Sequence, residues 1–279
     1  MDITPPVKKL IALAIEEDLA CGDITGRLAV PEGRISHARV IARQQLVVCG
    51  LPIVHAVIEG GGWCIKVDVH CSEGAVVQDE TSLVELEGPT RAVLAAERTI
   101  LNFLQRLCGV ATFTHDVCAA QPGLTILDTR KTMPGWRYLD KYAVRTGGGQ
   151  NHRFSLGDMI LVKNNHIDGH SHGIRGALGD VAATKPPYMP WEVEVRNLEE
   201  LRIALEFSPH IIMLDNFSDE LIREAVRIAE KATPRPLLEV SGGVTKERLS
   251  TLATLGVDAV SIGALTTRAP NVDISMRIS

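Results

Sequence analysis

The second half of the chain alternates short apolar segments with amphipathic ones, and this alternation restricts the fold more than any other feature. Apolar strand candidates begin at residues 191, 211, 237 and 259, and helical patterns follow at 198–207, 218–231 and 245–254. Strands and helices at this spacing indicate βαβ units, in which crossover helices join parallel strands. Two earlier strand candidates, at 124–128 and 159–163, bring the expected number of strands to six.

Nearly every one of these strands ends in a polar residue or a glycine. These residues are Asp128, Lys163, Glu194, Asp215, Ser241 and Gly263. The carboxyl ends of the strands form the active-site mouth of an α/β barrel, whereas an open doubly wound sheet places its site at one switch point. Contributions from six strands favour a barrel, either closed or incomplete, and an open sheet is the alternative.

The first part of the chain is organised differently. Residues 5–20 have the pattern of an amphipathic helix, and strand-like alternation follows at 36–49, 63–71 and 82–87. Thr90 is a suitable N-cap for a long helix that we expect to reach Leu107. The first ~107 residues therefore indicate a small α+β unit.

Composition excludes several classes of function. The chain has 279 residues and a net charge of −5, and only 4% of its residues are aromatic, which argues against stacking surfaces for single-stranded nucleic acid. The apolar run at 10–15 is followed at once by acids, so neither a signal peptide nor a membrane span is expected there. No two of the cysteines have CxxC spacing, which favours reduced thiols and a cytoplasmic protein.

The stretch from Arg130 to Lys163 is strongly basic within an acidic chain. It contains seven basic and two acidic residues, a local charge of +5 (7 − 2). Such a field suits a small anionic ligand, because a polyanion requires a broad basic face. Gly147, Gly148 and Gly149 interrupt the charges and let the backbone approach a ligand. A solvated basic loop is the alternative.

Acidic side chains are expected inside the barrel. In the strand WEVEV (191–195), Glu192 and Glu194 point to the side opposite the three apolar residues. Asp215 ends the next strand, so Glu194 and Asp215 should be neighbours at the mouth. Two carboxylates there suit a Mg²⁺ ion shared with a phosphorylated substrate. A salt bridge from these acids to the basic segment is the alternative reading.

Glycines after the last two strands predict a phosphate site. Ser241, Gly242 and Gly243 follow one strand, and Gly263 and Ala264 follow the other. Barrel enzymes often bind phosphate with the loops after their final two strands, where backbone N–H groups donate.

Histidines and one arginine have both ordinary and functional interpretations. His166, His170 and His172 lie in a glycine-rich polar sequence, for which a solvated loop is favoured over a metal site. His152, which follows the three glycines, is the better functional candidate. Arg98 lies within a helical pattern and reads, from sequence alone, as a surface arginine.

Nine motifs, in order over nearly the whole length, carry a family resemblance. They are EEDLACGDIT (16–25), AERTILNFLQRLCGVAT (96–112), LDTRKTMPGWR (127–137), KYAVRTGGGQNHR (141–153), LVKNNHI (161–167), EVEV (192–195), IMLDNF (212–217), EVSGGV (239–244) and GVDAVSIGALT (256–266). With them the chain resembles the bacterial quinolinate phosphoribosyltransferases, which are type II phosphoribosyltransferases. The resemblance implies an α/β fold with an N-terminal α/β sandwich domain, expected at 1–108, and an incomplete, open α/β barrel at 109–266. Residues 267–279 are expected to return to the first domain.

The resemblance also implies a reaction and its site. The family's pentosyltransferases join quinolinate to 5-phosphoribosyl-1-pyrophosphate with Mg²⁺, and release pyrophosphate, CO₂ and nicotinate mononucleotide for NAD synthesis. Residues implied to bind quinolinate are Thr129, Arg130, Lys131, His152, Arg153 and Lys163, and Arg98 is implied to reach a neighbouring subunit's site in a homodimer. Lys131, Glu194 and Asp215 are the implied catalytic residues, the last two also holding Mg²⁺ directly or indirectly. Ser241, Gly242, Gly243, Gly263 and Ala264 are implied to bind the 5-phosphate.

Some positions depart from the family pattern, and two other functions stay open. Met133, Trp136 and Cys108 differ from the residues that are usual in the family at these positions. The details of substrate recognition therefore stay open. One alternative is a lyase that forms a Schiff base on Lys163. The other is a ligand-binding or transport-associated paralogue, against which the presence of both the acidic pair and the basic motif argues.

Overall fold

The computed structural model describes all 279 residues. The first elements are α1 (Pro5–Leu19), α2 (Ile24–Ala29), β1 (Ile35–Ala42), β2 (Leu46–Val47), α3 (Leu51–Gly60), β3 (Lys66–Val69), β4 (Val76–Val77), β5 (Ser82–Pro89) and α4 (Thr90–Ala120). The others are β6 (Thr125–Leu127), α5 (Arg137–Thr146), β7 (Ile160–Val162), α6 (Asn164–Asp168), α7 (Gly173–Thr184), β8 (Trp191–Val195), α8 (Leu198–Glu206), β9 (Ile211–Asp215), α9 (Asp219–Ala229), β10 (Leu237–Ser241), α10 (Leu249–Thr254), β11 (Ala259–Ser261), α11 (Ala264–Thr267) and β12 (Ile274–Ile278). None of these helices combines the length and apolar character that a bilayer crossing requires.

The chain forms two compact units. Unit one contains residues 1–116, 131–148 and 264–279, and unit two contains residues 117–130 and 149–263. Unit one is built on a four-stranded antiparallel sheet in the order β12-β1-β5-β3. The C-terminal strand pairs directly with the first one, with Ala38 opposite Ile278.

Helix α4 is longer than the sequence analysis predicted. It continues past Leu107 to Ala120, although Gly109 stands in its interior. A Cβ atom at that position would lie 2.2 Å from the carbonyl oxygen of Pro270, so glycine allows the chain before β12 to pack against the helix. Close packing, not helix termination, explains this glycine.

Unit two contains a six-stranded parallel sheet in the order β6-β11-β10-β9-β8-β7. Strands β6 and β7 are its two edges, so the sheet is an open barrel, as predicted. One face is apolar and buried, with Trp191, Val193, Ile212, Leu238 and Val240 all at most 1% exposed. The opposite face carries the alternate residues, including three glutamates.

Predicted element bounds were most accurate for the central strands and least accurate around the glycines. β8, β9 and β10 span the predicted residues. Helix α10 begins at Leu249 instead of 245, so no helix starts directly after the glycine pair at 242–243. Residues 173–184 form helix α7, which was not among the predicted helices.

Candidate functional site

The strand register shows how far along the strands each polar residue of the inner face lies. Glu194 on β8 and Glu239 on β10 are both in register with Met213 of β9. Asp215 lies two residues nearer the carboxyl end, level with Ser241. Because residues two apart on a strand share a face, Glu194 and Asp215 point to the same side, as predicted.

The carboxylate of Glu194 forms an ion pair with a lysine on the neighbouring strand. Lys163 Nζ lies 2.9 Å from Glu194 Oε2, and the backbone N–H of Asn164 lies 3.5 Å from Oε1. The lysine side chain is 45% exposed and that of Glu194 is 10% exposed. The salt bridge considered in the sequence analysis is therefore present, and it satisfies a carboxylate that would be costly to bury alone.

Two arginines of unit two, Arg130 and Arg153, carry like charges near each other. The Nε atom of Arg130 is buried and has no hydrogen-bond partner. Burial and, secondarily, the nearby positive charge of Arg130 lower the pKa of the Arg153 guanidinium. The Nη1 atom of Arg153 donates to the backbone carbonyl of Met159 at 3.0 Å. A like-charged pair with an unused donor is suited to binding an anion, which would supply both the charge and the acceptor.

Asp128 fixes the loop that carries His152 and Arg153. Its side chain is fully buried and accepts hydrogen bonds from Asn151 Nδ2 at 2.6 Å and from the backbone N–H of His152 at 2.9 Å. Its backbone N–H donates to the carbonyl of Gln150 at 3.0 Å, which holds the loop along β6. The sequence analysis noted Asp128 only as the polar end of a strand, and the structure shows that it organises the loop.

The imidazole of His152 lies against two buried carboxylates. Its Nε2 is 3.2 Å from Glu192 Oε2 and 3.5 Å from Glu239 Oε2, and its Nδ1 accepts the N–H of Arg153 at 2.8 Å. The sequence analysis expected Glu192 to face the interior but did not consider Glu239. The alternation in LLEVS, which resembles that in WEVEV, was the signal that could have identified it.

A second group of side chains is suited by type and distance to hold a metal ion. His152, Glu192 and Glu239 offer ligand atoms within 4.8 Å of one another. Glu194 and Asp215 offer carboxylate oxygens to a metal ion from adjacent strands, and the negative charge of Glu194 is neutralised by Lys163.

The glycine loop after β10 has backbone conformations that require glycine. Gly242 and Gly243 have φ angles of +84° and +61°. A Cβ atom on Gly242 would lie 2.2 Å from Asn216 Oδ1, so a side chain there would also force Asn216 to move. The N–H of Asn216 donates to the carbonyl of Ser241 at 2.8 Å, which joins this loop to the end of β9. The backbone donors belong to a loop, because α10 starts only at Leu249.

The remaining implied residues are divided between the two units. Arg98 is exposed on α4 and lines a groove of about 330 Å³ together with Leu13, Asp18 and Trp136. Lys131 is exposed, and its carbonyl accepts the hydroxyl of Thr266 at 2.7 Å. Thr129 is half-buried in unit two, and Gly263 and Ala264 lie at the junction that leads into α11.

Two of the residues that differ from the family pattern, Trp136 and Cys108, contact other residues of unit one. The ring of Trp136 stacks on that of Phe103, with centroids 4.8 Å apart. Buried Cys108 accepts the backbone N–H of Cys49 through its sulfur at 3.2 Å. Met133 is 48% exposed. Trp136 and Cys108 therefore serve packing within unit one.

The three other histidines make local contacts. His166 lies in α6, where its Nδ1 accepts the backbone N–H of Lys163 at 2.8 Å. His170 Nε2 is 3.2 Å from Asp180 Oδ2, and His170 Nδ1 accepts the N–H of His172. His166 therefore belongs to a helix and not to the loop that the sequence predicted.

Comparison with known proteins identifies the family. Residues 23–108 match the model of the quinolinate phosphoribosyl transferase N-terminal domain, and residues 110–277 match that of its C-terminal domain. A protein of Methanocaldococcus jannaschii named probable nicotinate-nucleotide pyrophosphorylase [carboxylating] is 39% identical, over 97% of this chain and 96% of its own length. A Mycobacterium leprae protein named nicotinate-nucleotide pyrophosphorylase [carboxylating] is 38% identical, over 95% of each chain.

Solved structures agree with this result. The nicotinate-nucleotide pyrophosphorylase from Francisella tularensis superposes with a TM-score of 0.90 at 39% identity, covering 98% of this chain and 96% of that one. A structure from Ehrlichia chaffeensis with the same name gives a TM-score of 0.92 at 33% identity over the whole of both chains. The chain therefore belongs to the quinolinate phosphoribosyl transferase family.

Proposed function

We propose that the protein transfers the phosphoribosyl group of 5-phosphoribosyl-1-pyrophosphate to quinolinate with decarboxylation, and so supplies nicotinate mononucleotide for NAD synthesis. The full-length relatives named for this activity support the proposal. Within the structure, the observation that carries it is the buried, unpartnered Nε of Arg130 beside Arg153. A dicarboxylate such as quinolinate supplies what this pair lacks.

The quinolinate carboxylates are assigned to the cationic side chains of unit two. Arg130 and Arg153 can each hold a carboxylate through two parallel N–H donors. Lys163 supplies a third cation at the end of β7. Lys131, which follows Arg130 in the chain, and Thr129 are assigned with them from the resemblance. His152 is assigned a supporting position, since its ring nitrogens face Arg153 and the buried glutamates.

The phosphoribosyl pyrophosphate is assigned to the other side chains at the carboxyl ends of the strands. Carboxylate oxygens are the ligands that Mg²⁺ prefers, so Glu194 and Asp215 fit this ion, directly or through water. When bound, Mg²⁺ neutralises the charge that develops on the departing pyrophosphate. The loop at 241–243, with Gly263 and Ala264, is assigned to the 5-phosphate, whose oxygens accept backbone N–H groups.

These assignments give the residues distinct chemical tasks. As the bond to pyrophosphate breaks, positive charge develops on the ribose, and the carboxylates of Glu194 and Asp215 stabilise it. The pyridine nitrogen of quinolinate attacks this centre and becomes cationic. The bond from ring carbon 2 to its carboxylate then breaks, and CO₂ leaves. The electron pair of that bond stays on carbon 2, where the adjacent ring cation stabilises it until the carbon takes up a proton. The arginines hold the ring in line during these steps.

A homodimer with shared active sites is part of the proposal. Arg98 is exposed on α4, and its groove contains acidic as well as apolar residues. An outward-facing arginine there can reach a second copy of the chain. The six cysteines are free, which agrees with the reducing cytoplasm in which we expect the enzyme to act.

One assay separates this function from the two alternatives. Purified protein with quinolinate, phosphoribosyl pyrophosphate and Mg²⁺ should yield nicotinate mononucleotide, and borohydride added during turnover should leave no adduct on Lys163. The lyase is disfavoured because an ammonium ion-paired with Glu194 has no lone pair to attack a carbonyl. Quinolinate binding without product would support the ligand-binding paralogue, and a trapped lysine adduct would support the lyase.

A further inference from the structure

A buried ion pair in unit one has no part in the assigned reaction. The carboxylate of Asp140 on α5 is fully buried, and the side chain of Arg106 on α4 is 14% exposed. Arg106 Nη2 and Nε lie 3.1 and 3.3 Å from Asp140 Oδ1. A buried pair of this kind is weak evidence for stability, because the cost of removing both charges from water offsets their attraction. The pair therefore needs a further explanation, and its other contacts supply one.

Arg106 also binds helix α11 and the residues that follow it. Its Nη2 donates to the carbonyl of Thr266 at 2.5 Å, and its Nη1 donates to the carbonyl of Ala269 at 3.5 Å. Carbonyls at the end of a helix lack partners within the helix, and an arginine side chain can satisfy them. Arg106 therefore fixes α11, whose first residue, Ala264, is assigned to the 5-phosphate.

The same ion pair holds the backbone that carries Lys131. The hydroxyl of Thr266 donates to the carbonyl of Lys131 at 2.7 Å. Asp140 Oδ2, the oxygen that does not accept from Arg106, accepts the backbone N–H of Met133 at 3.3 Å. Two chains of hydrogen bonds therefore begin at one guanidinium, one through α11 and the other through Asp140. They reach the backbone at Lys131 and two residues after it.

We propose that Arg106 is a positioning residue, which acts through Asp140 and Thr266 to fix the backbone that carries Lys131. A guanidinium suits this task because its rigid fork donates in several directions, whereas a lysine ammonium is a single point on a flexible stem. The consequence for catalysis rests on the proposed function, because Lys131 is assigned to the reaction from the resemblance. The hydrogen bonds themselves do not rest on it, and they can be measured without substrate.

Hydrogen exchange of the intact, ligand-free protein tests the arrangement. The amide of Met133 should exchange slowly in the wild type, because its N–H is bonded to a buried carboxylate. Arg106→Met/Asp140→Val removes both buried charges together, which keeps the fold, and this amide should then exchange about tenfold faster or more. The same substitutions in the exposed pair of Arg175 and Glu206 should leave its exchange unchanged. Equal protection in the wild type and the first variant would overturn the proposal.

Kinetics test the consequence for catalysis. Arg106→Met/Asp140→Val should keep the melting temperature of the wild type and lose about a hundredfold in kcat, because Lys131 is displaced from its working position. Its affinity for quinolinate in calorimetry should change by less than about threefold, since Arg130 and Arg153 lie in unit two. Arg106→Lys keeps the charge but not the fork, and it should lose most of the same activity.

Thr266→Val is a milder test that leaves the ion pair in place, and it also serves if the double variant does not fold. It removes the hydroxyl that donates to the Lys131 carbonyl, so kcat should fall about tenfold while the fold is kept. Wild-type kcat in Thr266→Val, or in a folded double variant, would overturn the positioning role and leave the proposed function standing. A wild-type protein that forms no nicotinate mononucleotide would overturn the proposed function and, with it, the consequence for catalysis.

Discussion

Lys163 Nζ lies 2.9 Å from Glu194 Oε2, so the cation assigned to quinolinate and the carboxylate assigned to Mg²⁺ and ribose pyrophosphate neutralise each other in this structure. The pair keeps a largely buried carboxylate satisfied before any ligand binds. Under the proposed assignments, this ion pair joins the quinolinate region to the phosphoribosyl pyrophosphate region.

Substitution of Arg130 should weaken quinolinate binding strongly and spare the fold. In Arg130→Ala, the bidentate contact to a carboxylate is lost from a largely desolvated site, so quinolinate affinity measured by calorimetry should fall by about tenfold to a hundredfold. Arg202→Ala, which removes an exposed arginine on α8, is the matched control and should bind as the wild type does. Unchanged affinity in Arg130→Ala would remove this residue from the site.

The acidic pair should affect the other substrate. Glu194→Gln and Asp215→Asn should weaken the phosphoribosyl pyrophosphate step and its dependence on Mg²⁺, and should leave binary quinolinate binding largely intact. Glu199→Gln, at an exposed position on α8, controls for the loss of a negative charge. Wild-type turnover and metal dependence in both site variants would mean that Glu194 serves only as the ion-pair partner of Lys163.

The glycine loop should not tolerate a side chain. Gly242 has a positive φ, and a Cβ atom would collide with Asn216 Oδ1, so Gly242→Ala must distort the loop. We expect a higher KM for phosphoribosyl pyrophosphate and an unchanged affinity for quinolinate. Gly33→Ala is a control for the backbone effect, because that glycine also has a positive φ but has open space around it. Equal behaviour of the two variants would argue against the phosphate assignment.

Arg98 should act on a partner subunit. Arg98→Ala and Lys163→Ala should each be inactive alone, and a mixture of the two should recover part of the activity. The reason is that a heterodimer brings both lesions into one composite site and leaves the other site intact. Subunit exchange must be confirmed by mass. If exchange occurs without recovery, Arg98 serves its own subunit or has no catalytic role.

Removal of Asp128 should destabilise unit two. Asp128→Ala leaves the N–H groups of Asn151 and His152 without their buried acceptor, which should cost about 1–3 kcal/mol in the free energy of unfolding. Urea unfolding measures this loss. A variant as stable as the wild type would show that the loop at 150–153 holds its position without Asp128.

The strands were predictable where a single physical signal dominated. β8, β9 and β10 each present apolar residues to the helices, and their bounds agree with the prediction. Helix α7 was missed because its glycines count against a helix in sequence. In the structure, a Cβ atom on Gly176 would lie 2.2 Å from the ring of His170, so this glycine allows close packing. Contacts of this kind depend on tertiary structure and leave no local pattern.

Part of the site was also predictable, because alternation along a single strand determines which side chains share a face. Alternation along WEVEV correctly directed Glu194 inward, and the end of β9 correctly supplied Asp215 on the same side. The orientation of His152 could not be predicted, because it depends on the acceptor Asp128 at the end of another strand. Glu239 was not predicted because it lies two residues before the end of β10 at Ser241, and functional residues were expected only at the strand ends.

The most direct test of the central claim is a stoichiometric one. Quinolinate labelled in its 2-carboxyl group is incubated with phosphoribosyl pyrophosphate, Mg²⁺ and the wild-type protein, and labelled CO₂, pyrophosphate and nicotinate mononucleotide are measured together. We expect the three products in equal amounts from the wild type, and about tenfold to a hundredfold less of each from Arg130→Ala when quinolinate is well below the wild-type KM. Pyrophosphate without labelled CO₂, or no release of either from correctly folded protein, would contradict the assignment of this reaction.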